Sequence, residues 1–168
     1  VVDDGSEDGT IDAISTCKIM EEMSVRVIAL TRNFGKEATL SAGLAEAQGD
    51  AVVMIDADGQ HRPEFIGPML AKMQEGYDIV IGSRFVSEKK PKSLRMLGSN
   101  MISFAMKLTT GHKIKDPTSG MRMFNKKMIE EFAKGLNYGP EPDTISYLIR
   151  QGAKVAEVPV VTPLCAAH

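Results

Sequence analysis

The sequence predicts an α/β fold: a mostly parallel β-sheet flanked by helices. Short apolar runs rich in Val and Ile alternate with helical patterns along the chain, and polar clusters directly follow four of these runs. Strands that alternate with helices are typical of a parallel sheet with right-handed crossovers. Strands that are apolar at nearly every position indicate a sheet that is covered on both faces.

Five strands are predicted where short apolar runs are bounded by turn-forming residues. They cover residues 1–3, 25–30, 51–56, 79–82 and 155–161. Helices are predicted between the strands from apolar residues at spacings of three and four. Their apolar stripes are Ile11, Ile14 and Cys17; Leu40, Gly43, Leu44 and Ala47; Ile66, Met69, Leu70 and Met73; Leu94, Leu97, Met101, Phe104 and Leu108; and Ile145, Leu148 and Ile149.

Several helix ends are marked by residues with known end preferences. Thr10 is predicted to cap the first helix, Gly49 to stop the second and Pro63 to begin the third. The last helix is predicted over residues 143–152. For the long fourth helix, burial of the apolar face in the core is favoured over contact with a membrane.

The composition is that of an ordinary globular protein and predicts one domain over residues 1–168. The chain is 43% hydrophobic and 25% charged, and its net charge of −2 gives no global attraction to nucleic acid. Cys17 and Cys165 cannot form a disulfide framework or a zinc site by themselves, which favours a reducing, cytoplasmic compartment. Because residues 1–3 resemble the tail of a strand, we expect a fragment that is truncated at both ends.

Two carboxylates, Asp56 and Asp58, follow the third predicted strand two positions apart. In extended backbone such residues point to the same side, so the carboxylates converge. They then repel each other unless a cation lies between them or one is protonated. Hard oxygen ligands of this kind suit Mg²⁺ or Mn²⁺. The alternative is a simple turn, which Asp-Gly pairs such as Asp58-Gly59 often form.

Four polar clusters follow predicted strands, and we expect them to meet at one edge of the sheet. In open α/β sheets, ligands bind beyond the carboxyl ends of the strands. The clusters are residues 3–6, 33–36, 56–58 and 82–84. Their convergence predicts a ligand site more strongly than any single cluster does.

At these residues the chain resembles the family-2 glycosyltransferases of the GT-A fold, over nearly its whole length. Residues 1–10 (VVDDGSEDGT) are similar to the nucleotide-binding segment of the family, and Asp56-Ala-Asp58 is similar to its DxD motif. Further motifs resemble the branch of polyprenyl-phosphate sugar transferases that are like dolichol-phosphate mannosyltransferase. They are RNFGKEA at 32–38, DADGQHRP at 56–63, GSRF at 82–85 and DPTSGMR at 116–122.

The resemblance implies a metal-dependent, inverting transfer of a sugar from a UDP- or GDP-linked donor. It implies that Asp3 and Asp4 contact the base and ribose, and that Asn33 and Lys36 face the donor. It also implies that Asp56 lies near the ribose or metal, that Asp58 is the principal metal ligand and that Gln60 ligates the same ion. The first strand of the fold, which carries part of the base pocket, is expected to be missing. A plain turn with Ser6 as a cap remains the alternative for residues 3–6.

The acceptor implied by the resemblance is a polyprenyl phosphate, held by Arg84 and Arg95, or else a growing glycan. A lipid phosphate is already anionic and needs no strong base, whereas a sugar hydroxyl needs a carboxylate within hydrogen-bond reach. Asp116 and Asp143 are the candidates, with turn formation and helix capping as their structural alternatives. The basic stretch at 89–92 is either a solvated loop or a contact to anionic lipid at the cytoplasmic membrane face in the full-length protein.

Two other functions compete with this interpretation. A haloacid-dehalogenase-type phosphatase also ends an apolar strand in Asp-x-Asp-Gly, but that family has Thr where this chain has Gln60, and its motif lies near the start of the domain. A non-catalytic domain that binds nucleotide sugars is the second alternative, and the intact Asp56/Asp58 pair argues against it.

Overall fold

The computed structural model describes residues 1–17, 24–56, 58–59, 61–85, 94–133 and 142–161, with the backbone alone at 94–97, 99 and 133. Internal contacts divide the chain into two compact units. The first comprises Val1–Gln48 and Glu130–Pro140, and the second comprises Gly49–Ile129 and Glu141–His168. Each unit is described separately, and the single domain over residues 1–168 stays a prediction.

The described residues before Gly49 form a two-stranded parallel sheet and two helices of the first unit. Strand β1 (Val2–Asp3) pairs with β2 (Ile28–Ala29), so the two predicted strands are present but shorter than expected. Helix α1 covers Thr10–Ser15 and helix α2 covers Lys36–Ala45. Helix α2 packs closely on β1, because a Cβ at Gly43 would lie 3.1 Å from Val2 Cγ2.

The predicted cap of the first helix is wrong by one residue. Thr10 is the first helical residue of α1, and the N-cap is Gly9, with φ 80°. The Oδ1 atom of Asp8 accepts hydrogen bonds from both the backbone N–H and the hydroxyl of Thr10. A carboxylate therefore supplies the capping interaction from outside the helix, where the helix dipole favours negative charge.

The second unit contains a four-stranded sheet in the order β3-β5-β4-β6. The strands are β3 (Ala51–Met54), β4 (Ile79–Ser83), β5 (Arg122–Asn125) and β6 (Val155–Pro159). Strands β4 and β6 are parallel, as predicted. Strand β5 was not predicted, and it runs antiparallel to both of its neighbours, β3 and β4. The α/β class is confirmed, and this sheet is mixed rather than mostly parallel.

After β3, the part of the chain that the structure describes forms four α-helices. They are α3 (Ile66–Gln74), which a 3₁₀ turn over Pro63–Phe65 precedes, α4 (Leu94–Thr110), α5 (Lys126–Ala133) and α6 (Pro142–Arg150). Helices α3, α4 and α6 confirm predictions, and α5 was missed. One core cluster joins α3 to the sheet; its buried members are Met69, Val80, Met121, Met123, Val158 and Val160.

The apolar face of α4 departs from the prediction of core packing. Met101 and Phe104 are each 67% exposed, and Leu108 is 78% exposed. Ser103 and Met106 are buried instead, on a helix that contacts α6. Periodicity identified an amphipathic helix, but the more apolar face is the one in contact with solvent. Within the described part of the chain, no helix has both the length and the apolar character needed to cross a bilayer.

We predict that Gly5→Ala destabilises the chain by about 3 kcal/mol. Gly5 has φ +74°, and a Cβ there would lie 2.5 Å from the backbone carbonyl carbon of Arg32, so both strain and a clash result. Gly9→Ala is the matched control, because Gly9 has φ +80° and nothing lies within 4 Å of its Cβ position. It should cost about 1 kcal/mol. Urea denaturation followed by circular dichroism measures both, and equal losses would contradict the close approach.

Candidate functional site

In the first unit, Asp4 connects the loop after β1 to the start of α2. Its Oδ1 accepts the backbone N–H of Phe34 at 2.8 Å, and its Oδ2 accepts that of Gly35 at 2.9 Å. The side-chain oxygen of Asn33 also accepts the Gly35 N–H, at 3.1 Å. Asp4 and Asn33 thus lie together, as predicted. Because backbone amides bind both oxygens of Asp4, its carboxylate has a clear structural role in addition to any contact with a ligand.

Two further residues that were predicted to contact the nucleotide-sugar donor, Asp3 and Lys36, flank this connection. Asp3 is buried, and its Oδ2 accepts the backbone N–H of Ser6 at 3.0 Å. Hydrogen bonds from the hydroxyl and the backbone of Ser6 lower the pKa of Asp3, so it is the ionised form that this turn stabilises. Lys36 is exposed and begins α2, directly after the N-cap Gly35. The turn that was the alternative explanation for residues 3–6 is therefore present, and the Asp3 carboxylate stabilises it.

In the second unit, Asp56 and Asp58 lie just beyond the carboxyl end of β3. The strand ends at Met54 rather than Asp56, and Asp58 is exposed in a turn with Gly59, which has φ +73°. Asp56 is half-buried. The turn that was the alternative explanation for Asp58-Gly59 is therefore present. Its presence is compatible with metal binding, because an exposed carboxylate beside a half-buried one remains accessible to an ion.

The carboxylate of Asp56 rests against the backbone of Gly120. A Cβ at Gly120 would lie 2.0 Å from Asp56 Oδ2 and 3.2 Å from His61 Nε2. Any side chain larger than a hydrogen atom would therefore displace Asp56. The Nδ1 atom of His61 is buried and makes no hydrogen bond within the described residues. Gly120 and His61 were not predicted as site residues, although both belong to motifs that the sequence singled out.

The carboxylate oxygens after β3 are ligands of the kind that Mg²⁺ and Mn²⁺ prefer. Among the residues that the structure describes, no group of three or more His, Cys, Asp or Glu side chains could hold a metal. Mg²⁺ typically binds through one or two carboxylates together with substrate phosphates, so the pair of Asp56 and Asp58 is sufficient. The third predicted ligand, Gln60, lies outside the described residues.

Arg84 and Asp116 form a bidentate ion pair. Arg84 Nε donates to Asp116 Oδ2 at 2.7 Å, and Nη2 donates to Oδ1 at 2.9 Å. The backbone N–H of Arg84 also donates to Oδ2, at 3.2 Å. Asp116 is 0% exposed, whereas the Arg84 side chain is 34% exposed. The hydrogen bond to Asp116 raises the pKa of Arg84, so the guanidinium remains charged.

Glu157 on β6 supports this ion pair. Its carboxylate accepts the backbone N–H groups of Lys115 at 3.0 and 2.9 Å and of Asp116 at 2.9 Å. It fixes the loop that presents Asp116 to Arg84. Glu157 was not predicted, and its signal was a single carboxylate within the apolar run of residues 155–161.

The remaining predicted site residues, Asp143 and Arg95, lie in the first turns of two helices. Asp143 is exposed in the first turn of α6, the position expected of a residue that stabilises a helix start. Arg95 is the second residue of α4, and its side chain lies outside the described part of the chain. Residues 89–92 also lie outside it.

We predict that Asp116→Asn lowers the free energy of unfolding by about 3 kcal/mol. The substitution leaves the Arg84 guanidinium without its buried counter-charge. Asp50→Asn is the matched control, because Asp50 is exposed in the same unit, and it should change stability by less than about 0.5 kcal/mol. Chemical denaturation measures both variants. Similar stabilities for Asp116→Asn and the control would show that the ion pair contributes little.

Comparison with known proteins identifies the family of this chain. The family model described as glycosyl transferase family 2 matches residues 1–133. An uncharacterized glycosyltransferase of Synechocystis is 37% identical over 128 residues, which cover 76% of this chain and 40% of that protein. An undecaprenyl-phosphate 4-deoxy-4-formamido-L-arabinose transferase of Pseudomonas fluorescens is 31% identical over 130 residues, covering 77% and 38%. The chain thus spans about two fifths of the length of these relatives.

A solved structure shows the same fold. The mannosyltransferase PcManGT of Pyrobaculum calidifontis, in complex with GDP-Man and Mn²⁺, matches with a TM-score of 0.66 at 19% identity. The match covers 95% of this chain and 44% of that one. The chain has the GT-A fold, and it belongs to glycosyl transferase family 2.

Proposed function

We propose that this chain is the catalytic domain of an enzyme that transfers a sugar from a nucleotide-diphosphate sugar to a polyprenyl phosphate, with inversion and with the help of Mg²⁺ or Mn²⁺. The observation that carries the proposal is found in the second unit, where two carboxylates, one half-buried and one exposed, follow β3 and an arginine is oriented by a buried aspartate. The two carboxylates suit a metal ion that binds the leaving diphosphate, and the arginine suits a phosphate acceptor.

The first unit supplies the candidates for contact with the nucleotide, which are Asp3, Asp4, Asn33 and Lys36. Asp4 and Asn33 order the start of α2, where the helix N-terminus and the Lys36 charge favour an anion. This placement supports a UDP- or GDP-linked donor without distinguishing between the two.

Asp56, Asp58 and Gln60 would hold the metal ion. When bound, the ion supplies charge neutralisation for the departing diphosphate. Because Gly120 has no side chain, the Asp56 carboxylate lies against its backbone. This contact fixes the position of one of the two proposed carboxylate ligands. Support for a divalent metal also comes from PcManGT, whose structure contains Mn²⁺.

A polyprenyl phosphate is favoured over a sugar hydroxyl as the acceptor. Both side-chain oxygens of Asp116 accept hydrogen bonds from Arg84, and Thr118 also donates to Oδ1, at 3.4 Å, so Asp116 is not placed to take a proton from a substrate. Arg84 has five N–H donors, of which two bind Asp116, so three remain to bind a phosphate. We assign Asp116 the role of a positioning residue for Arg84, with Arg95 as the second acceptor arginine.

The P. fluorescens relative supports the same acceptor, since its name specifies undecaprenyl phosphate. An acceptor of this kind would bring the whole protein to the cytoplasmic face of a membrane. Family membership argues against the phosphatase alternative. A non-catalytic nucleotide-sugar-binding domain remains the competing proposal, and turnover measurements decide between the two.

We predict that Asp58→Asn reduces sugar transfer at least 100-fold, because it removes a charged ligand of the metal. The measurement is transfer of radiolabelled sugar from a panel of UDP- and GDP-sugars, with and without undecaprenyl phosphate, using the full-length protein. Asp50→Asn is the control, since Asp50 directly precedes β3 and Asp58 follows it. Unchanged turnover in Asp58→Asn would contradict the metal mechanism, and no turnover in the wild type would favour the non-catalytic domain.

We predict that Asp143→Asn retains at least half of the transfer to undecaprenyl phosphate, because an anionic acceptor needs no general base. The assay is the same, with turnover rate and KM determined separately. A turnover rate that falls at least 100-fold while KM stays unchanged would identify Asp143 as a base, and it would contradict the phosphate acceptor.

A further inference from the structure

A cavity of about 410 Å³ lies between helix α4 and the segment that precedes Asp116. Three lysines line it, Lys107, Lys113 and Lys115, together with Asn100. Among the described residues that line this cavity, none is an aspartate or a glutamate. The described lining carries three positive charges, of which the Glu157 carboxylate at the backbone of Lys115 offsets at most one. The cavity is therefore electropositive, and an electropositive recess attracts anions.

Ser103 provides a second, independent sign of a ligand. Its side chain lines the cavity and is only 9% exposed, and its hydroxyl makes no hydrogen bond within the described part of the chain. Buried hydroxyls normally have a partner, because an unsatisfied one is costly. The hydroxyl itself is covered in its present rotamer. Turned toward the cavity, it would donate a hydrogen bond to a phosphate oxygen, while lysine ammonium groups would neutralise the charge of that phosphate.

We propose that this cavity binds a phosphate group, at a site separate from the donor and acceptor residues. Of the residues assigned to the nucleotide sugar, the metal or the acceptor, none whose side chain the structure describes lines it. Two phenylalanines do, Phe85 and Phe104, and Phe104 is 67% exposed. The shared chemistry is a phosphate monoester or diester, which either free phosphate or the headgroup of an anionic lipid supplies.

The site borders the Arg84–Asp116 pair through the backbone. Phe85 directly follows Arg84, and Lys115 directly precedes Asp116. The carboxylate of Glu157 accepts the backbone N–H of Lys115, so this acidic group orders the edge of the cavity.

Isothermal titration calorimetry of the wild-type protein tests the proposal, with inorganic phosphate and monomeric dihexanoyl phosphatidic acid as probes. Lys107→Gln/Lys113→Gln should weaken binding at least tenfold. The control Lys126→Gln/Lys127→Gln removes the same charge from exposed lysines at the start of α5 and should change binding less than twofold. Ser103→Ala should weaken binding severalfold without lowering the melting temperature.

Three results would each overturn the proposal. They are no saturable binding of both probes, equal losses of affinity in the two double variants, and unchanged binding in Ser103→Ala. Binding of the lipid at least tenfold tighter than inorganic phosphate assigns the site to a lipid headgroup, and similar affinities assign it to free phosphate. No nucleotide sugar is present in this experiment, so its failure is independent of the proposed transferase activity.

Discussion

The ion pair between Arg84 and Asp116 is the interaction on which the proposed site of the second unit depends. It joins the end of β4 to the loop before β5, and Glu157 on β6 holds that loop through its backbone amides. Because Asp116 is fully buried, loss of Arg84 would leave a buried carboxylate without a counter-charge, whereas loss of Asp116 would leave a guanidinium that water reaches only in part. A bidentate pair also fixes the plane of the guanidinium, so the donors of Arg84 that do not bind Asp116 have a defined direction.

The same loop also constrains the carboxylates after β3. Asp116 begins the loop that ends in Gly120, and Gly120 gives Asp56 the space in which it lies. The loop is attached to β4 by the N–H of Gly82, which donates to the carbonyl of Met121 at 2.9 Å. The short segment 116–120 thus contacts both Arg84, the proposed acceptor arginine, and Asp56, a proposed metal ligand.

Much of the fold could be predicted because its signals are local. Apolar runs located β3 and β4, and three- and four-residue spacing located α2 and α3. Strand β5, Arg122–Asn125, escaped prediction because its two central apolar residues form no Val/Ile run and its pairing is non-local. For α4, periodicity shows that a helix has an apolar face, but not which surface of the protein covers it. The partners of Asp4 and Asp116 also depend on contacts 30 or more residues away in the chain.

The central proposal is that Asp56 and Asp58 hold a divalent cation at the diphosphate of a nucleotide-sugar donor. The most direct test is a crystal structure of the protein with Mn²⁺ and UDP or GDP, with data collected at the manganese absorption edge. We expect an anomalous peak within about 2.3 Å of carboxylate oxygens of both residues and of the diphosphate. A bound nucleotide with manganese elsewhere, or with no anomalous peak at these carboxylates, would contradict this role.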